Sequence, residues 1–183
     1  MKGARLDLGC ARCGLSRTRT RVVPGTGDRG ASLVFIGEAP GKDEDIRGAP
    51  FVGRAGKVLD SALASAGISR EKVYITNLVK CRPPGNRRPR PDEVEACRAQ
   101  LEAELDAIRP EVVCLLGQTV ARHMLGDRSR MKDMAGRRRK ATIGGREVLV
   151  FVAYHPASCL YTRENVESLK QTVTLCAKAA SLS

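Results

Sequence analysis

The chain has 183 residues, 42% of them hydrophobic, enough for a single domain over 1–183 with its own core. Aromatics are only 3% and Trp is absent, so that core is aliphatic; 32 basic against 20 acidic residues leave a net charge of +12. Such an excess points to a polyanionic partner, because neutralising phosphates releases condensed counterions. Seven cysteines, an odd number, argue against a closed disulfide framework. Residues 1–9 lack the apolar run of a signal peptide, and no stretch approaches the ~18 apolar residues of a membrane span. A cytoplasmic protein with no membrane partner is expected, and in reducing surroundings clustered cysteines read as metal ligands.

In chain order, Cys10-x2-Cys13 comes first, in an irregular segment bounded by glycines. Residues 32–36 form a short apolar run ending at Gly37, which predicts a buried strand. Ala55, Val58, Leu59, Ala62, Leu63 and Ala66 recur at spacings of three and four, one face of an amphipathic helix stopped by Gly67. Residues 73–76 predict a second strand, and 80–90 a strongly basic loop whose prolines and glycine forbid regular structure.

Pro91 opens a helix at the position where its missing N–H costs nothing, with Asp92 and Glu93 favourable at the positive end of the dipole. Its inner stripe is Val94, Cys97, Leu101, Leu105 and Ile108. Residues 112–116 predict a third strand and 118–125 a short helix, followed by a second basic stretch at 131–140. Residues 141–143 and 147–153 flank Gly144-Gly145 as a hairpin leading into the last strand. A terminal helix over about 164–180 turns Val166, Leu169, Val173 and Cys176 inward.

This alternation predicts a parallel sheet with helices on both faces, in which ligands bind outside the carboxyl ends of the strands. Residues 37–41, Asn77, Gly117-Gln118 and Tyr154-His155-Pro156 should therefore meet in one crevice. The pair Cys10 and Cys13, joined by Cys81 and Cys97, suits a tetrahedral thiolate site. Spacing alone leaves zinc and iron–sulfur both open.

Four ordered segments then carry a resemblance. Gly37-Glu38-Ala39-Pro40-Gly41 with Asp43-Glu44-Asp45 resembles the first motif of the family-four, iron–sulfur uracil-DNA glycosylases. Residues 49–56, with Phe51 among them, are similar to the second; 74–87, with Asn77 and Cys81, to the third; and His155-Pro156-Ala157 to the fourth. The likeness runs from Cys10 to the last helix, in matching order and spacing.

The resemblance implies a three-layer α/β/α sandwich with a central four-stranded, mainly parallel sheet. It implies a [4Fe–4S] cluster on Cys10, Cys13, Cys81 and Cys97, in preference to zinc, with the N-terminal segment joining the cluster. It implies a monomer that excises uracil from single- or double-stranded DNA. The alternative is a non-catalytic or covalent uracil-DNA-binding protein of the same fold. Covalent capture would use a histidine in a basic loop after the third motif, and residues 82–90 contain none.

The implied site assigns substrate contacts to Gly37, Glu38, Ala39, Phe51, Asn77 and His155. Phe51 stacks on the extruded base, and the Asn77 amide is complementary to uracil N3–H and O4. His155 hydrogen-bonds O2, where negative charge develops. The wider superfamily often has Asp where this chain has Ala39, a departure shared with the iron–sulfur family; Glu38, then Glu44, are the acids left to position water. Arg82, Arg87 and Arg88 are candidate phosphate contacts, and Leu160 the wedge that fills the vacated stack.

Overall fold

A computed structural model describes residues 6–182. Residues 1–5, part of the stretch read above for a signal peptide, and residue 183 lie outside the described residues. The elements are β1 (Thr26–Gly27), β2 (Leu33–Gly37), α1 (Lys42–Arg47), α2 (Arg54–Ser65), β3 (Tyr74–Asn77) and α3 (Pro91–Ile108). They continue as β4 (Val112–Leu116), α4 (Gln118–Leu125), α5 (Met131–Met134), β5 (Arg139–Ile143), β6 (Arg146–Ala153) and α6 (Arg163–Ala179).

The sheet has six strands in the order β1-β3-β2-β4-β6-β5, two more than expected. The inner four, β3, β2, β4 and β6, are parallel as anticipated. The two edges are antiparallel, so the sheet is mixed. β5 is the first arm of the predicted hairpin, turned at Gly144 and Gly145, both of which have positive φ (58° and 71°). β1 is only two residues long, too short to leave any alternation in the sequence.

Every residue of β2 and β4 is buried, because helices cover both faces. Alternate side chains separate to the two layers. Leu33, Phe35, Cys114 and Leu116 pack with Leu59 and Leu63 of α2 and Leu169 and Val173 of α6. Val34, Ile36, Val113 and Leu115 pack with Leu101, Leu105 and Ile108 of α3 and Val120 of α4. A smaller third cluster, Leu15, Val22, Val79, Cys81, Val94 and Cys97, fastens the N-terminal segment to the first turns of α3.

The helix ends follow the local chemistry. Pro91 opens α3, and the Glu93 carboxylate accepts the Arg90 N–H at 2.7 Å. Arg109, in the left-handed region at φ 56°, closes it. β3 runs one residue further than its apolar pattern suggests, so Asn77 is its last residue and lies in register beside Gly37 of β2.

Candidate active site

The carboxyl ends of β2, β3 and β6 open on one cavity of about 520 Å³, lined among others by Glu38, Glu44, Phe51, Asn77, Arg88 and His155. Ala39 and Arg87 also line it; Gly37 borders it through the Asn77 and Phe51 side chains. Gly117 lets His155 approach, since a Cβ there would lie 3.1 Å from that of His155. Gln118 does not reach the cavity and donates instead to the Ser129 carbonyl at 2.8 Å.

Glu44, in the first turn of α1, builds the cavity wall. Its carboxylate accepts the N–H groups of Gly41 (3.1 Å), Val52 (3.0 Å) and Gly53 (2.9 Å), tying the loop after β2 to the loop that carries Phe51. Phe51 itself has φ 52°, a left-handed conformation that costs an L-residue roughly 1–2 kcal/mol. Two glycines make room for it. A Cβ at Gly56 would overlap the Phe51 carbonyl, and one at Gly37 would come within 2.6 Å of the Phe51 ring. The ring is buried, and its centroid stands 5.7 Å from that of His155.

Asn77 is 2% exposed, and its Oδ1 has no hydrogen-bond partner among the described residues. Leaving such an acceptor unmade costs about 1–3 kcal/mol, which a ligand bearing a matching donor would recover. The His155 Nδ1 accepts the Ala157 N–H at 3.1 Å, so the neutral ring carries its proton on Nε2. Burial pushes the His155 pKa down to about 4, against the opposing pull of the Glu44 carboxylate. The ring is thus a neutral donor at ordinary pH. The Glu38 carboxylate makes no hydrogen bond or ion pair with any described residue and faces the same space.

The basic loop divides its arginines between tasks. Arg87 is held by Glu93 in a two-pronged ion pair, at 2.6 and 2.8 Å, which neutralises it locally. Arg82 Nε donates to Asn86 Oδ1 at 2.7 Å, and Arg82 does not line the cavity. Arg88 is exposed at the cavity rim with no side-chain partner among the described residues. Leu160 is half-buried beside Val58 of α2 and Val166 of α6, whereas its neighbour Tyr161 is 83% exposed. Cys159 is buried with Sγ 3.7 Å from the His155 carbonyl, a packing position rather than a reactive one.

Cys10, Cys13, Cys81 and Cys97 line one small void of about 10 Å³. Arg19 donates to Cys81 Sγ and the Lys80 N–H to Cys97 Sγ, each at 3.3 Å. Burial pushes the Cys81 thiol up to about 11 and raises Cys97, the neighbouring thiols adding to the effect. Four thiolates gathered on one void would repel one another unless a cation stood between them. Among the described residues, no three Cys, His, Asp or Glu side chains form a single-ion site. Cys114 and Cys176 face one another in the core.

Four polar residues are buried where the sequence reading did not anticipate it. Lys80, counted there in a strongly basic loop, is fully buried and ion-paired to Glu104. Asp45 accepts the N–H groups of Thr20 and Arg21, anchoring the N-terminal segment. Glu104 and Gln100 are buried on α3. Their signal was present: both fall on the stripe through Cys97, Leu101, Leu105 and Ile108.

An orphan amide, an aromatic ring and a neutral imidazole at the ends of parallel strands define a class, an α/β enzyme whose pocket takes a planar polar ring. Residues 24–177 match the family model for the uracil DNA glycosylase superfamily. The type-4 uracil-DNA glycosylase of Archaeoglobus fulgidus is 45% identical over 93% of this chain and 90% of its own length. Those of Saccharolobus solfataricus (44%; 83% of this chain, 73% of the relative) and Sulfurisphaera tokodaii (40%; 84% and 72%) are similar. The chain belongs to this superfamily, among its type-4 uracil-DNA glycosylases.

Proposed function

We propose that the protein is a base-excision-repair glycosylase that flips uracil out of DNA and hydrolyses its N-glycosidic bond, leaving an abasic site. The observation that carries this reading is the unpartnered Asn77 amide, sharing one cavity with Phe51 and His155. A base inside a duplex hides its glycosidic bond and must be extruded to react. The extruded ring stacks on Phe51. Asn77 Oδ1 then accepts uracil N3–H while Nδ2 donates to O4; cytosine presents the reverse pattern and would leave buried groups unpaired.

As the bond from N1 to the sugar breaks, its electron pair moves onto uracil and spreads toward O2. The His155 Nε2–H donates to that oxygen, stabilising the anion. Water adds to the positively charged sugar carbon, and its proton passes to the departing uracil anion or to solvent, so that the products are neutral uracil and an abasic sugar. Glu38, whose carboxylate is uncommitted, orients that water. Glu44 has three backbone N–H groups to hold, which favours a scaffolding role over proton transfer. Arg88 is the best-placed phosphate contact, with Arg82 and Arg87 shaping its loop, and Leu160 or its exposed neighbour Tyr161 fills the vacated stack.

Cys10, Cys13, Cys81 and Cys97 would hold a [4Fe–4S] cluster, four soft thiolates around one void with two N–H donors on their sulfurs. When bound, the cluster would supply a cross-link between the N-terminal segment, the basic loop and α3. The enzyme acts as a cytoplasmic monomer on uracil in single- or double-stranded DNA. No helix of the described residues is long and apolar enough to cross a membrane.

The test is incubation with a uracil-containing oligonucleotide, followed by alkaline cleavage of abasic sites. Strand breakage only where uracil is present is expected; none above a thymine control would sink the proposal. A broad absorbance near 400 nm, roughly where iron–sulfur chromophores absorb, separates cluster from zinc.

A further inference from the structure

Gln100 lies three residues after Cys97 on α3 and is 4% exposed. Both amide atoms, Nε2 and Oε1, lack any hydrogen-bond partner among the described residues. Buried polar groups in folded proteins are nearly always paired, so an amide orphaned at both ends marks a missing neighbour. The side chain lines the same void as Cys10, Cys13, Cys81 and Cys97. Two N–H donors already point at sulfur there, from Arg19 to Cys81 and from the Lys80 backbone to Cys97.

We infer that Gln100 donates its Nε2–H to a sulfur of the cluster held by the four cysteines, a third N–H···S contact that sets the cluster's reduction potential. The inference rests on the iron–sulfur reading of those cysteines. Hydrogen bonds withdraw electron density from cluster sulfurs, so they favour the more negative, reduced state and raise the potential. A neutral amide achieves this in a buried site without adding a charge that would need its own partner. Gln100 is a positioning and tuning residue by this account, remote from the base pocket and from the chemistry on uracil.

The experiment compares the anaerobically purified holoenzyme with Gln100→Met, which keeps the length and bulk of the side chain but has no N–H. Iron and sulfide content are measured first, then the midpoint potential by mediated redox titration followed by EPR. Equal iron content with a more negative midpoint in Q100M is the expected result. Equal midpoints in two fully loaded proteins would overturn the hydrogen bond while leaving the cluster intact. Wild-type protein lacking iron would overturn the iron–sulfur reading and this inference with it. Should Q100M fail to take up iron, wild-type protein labelled with ¹⁵N in its glutamine side chains decides the matter. Pulsed EPR of the reduced cluster should then detect an amide-nitrogen coupling, and its absence refutes the contact.

Discussion

The Lys80 Nζ stands 2.6 Å from Glu104 Oε2, and neither side chain reaches solvent appreciably (0% and 3%). The same ammonium donates to the Asn77 carbonyl at 2.8 Å and to the Thr76 hydroxyl, while Glu104 Oε1 accepts the Gly25 N–H. A buried ion pair thus grips the end of β3, where Asn77 stands, and the Lys80 N–H reaches back to Cys97. Removing one partner of such a pair strands the other charge, at a cost of about 3–5 kcal/mol. Lys80→Met should lower stability by that amount in urea titrations and reduce uracil release even at temperatures where the variant stays folded. A loss below about 1 kcal/mol would show that the pair is dispensable.

Gly37→Ala tests the close packing of the base pocket. Its Cβ would overlap Asn77 Oδ1 and press on the Phe51 ring. Overpacking of this kind costs about 1–3 kcal/mol. Because a misplacement of about 1 Å in a reacting group costs around 100-fold, uracil release should fall by at least that factor. Binding to undamaged DNA should be little changed, since the phosphate contacts lie elsewhere. Single-turnover excision rates beside fluorescence anisotropy separate the two effects; unchanged excision would show that the pocket tolerates the methyl group.

For His155 the direction of the pH effect follows from its depressed pKa. The folded ring titrates at about 4, the unfolded one at about 6.5. The unfolded chain therefore binds more protons between these values, and the folded state loses stability as pH falls from about 6.5 to about 4. Above that window the contribution is fully present. NMR of the ¹⁵N-labelled ring should find Nε2 protonated and Nδ1 bare at pH 6, with a midpoint near 4. The pH-dependent part of the urea midpoint over this window should shrink in His155→Gln. A ring titrating near 6.5 would contradict the neutral-donor role.

Arg87 and Arg88, adjacent in sequence, should behave oppositely. Arg88→Ala removes an unpartnered charge at the cavity rim, so it should lower the slope of log binding constant against log salt by about 1 and leave stability intact. Arg87→Ala strips the buried Glu93 of its guanidinium and should destabilise by about 1–3 kcal/mol, with a smaller effect on the salt slope. Arg87 also holds the Glu93 pKa down through its hydrogen bonds, a contribution to stability that is lost on acidification. Equal salt slopes for both variants would overturn this division.

Much of the fold was legible along the chain. The apolar runs at β2 and β4, the spacing in α2 and α6 and the Pro91 start of α3 are local properties, written in unbroken apolar stretches, a period of about 3.6 residues and a capping residue. The rule that strand ends gather at one edge was enough to bring Asn77 toward His155. β1 was not legible, because two residues carry no period, and it holds its place only by pairing with β3.

The site divides along the same line. The candidates themselves were singled out along the sequence: Phe51 outside any helical stripe, Asn77 at a strand end, His155 before a proline, four cysteines in two pairs. Their state was decided only by the tertiary structure. Lys80 reads as one more charge in a basic run until α3 brings Glu104, 24 residues away in sequence, against it. Arg87 reads as an unpaired charge until Glu93 meets it, and the neutrality of His155 depends on burial that no neighbour in sequence reports. Periodicity describes a segment against a generic core. Charge state and hydrogen-bond partners depend on the particular atoms that another segment delivers, and those are settled only when the chain has folded.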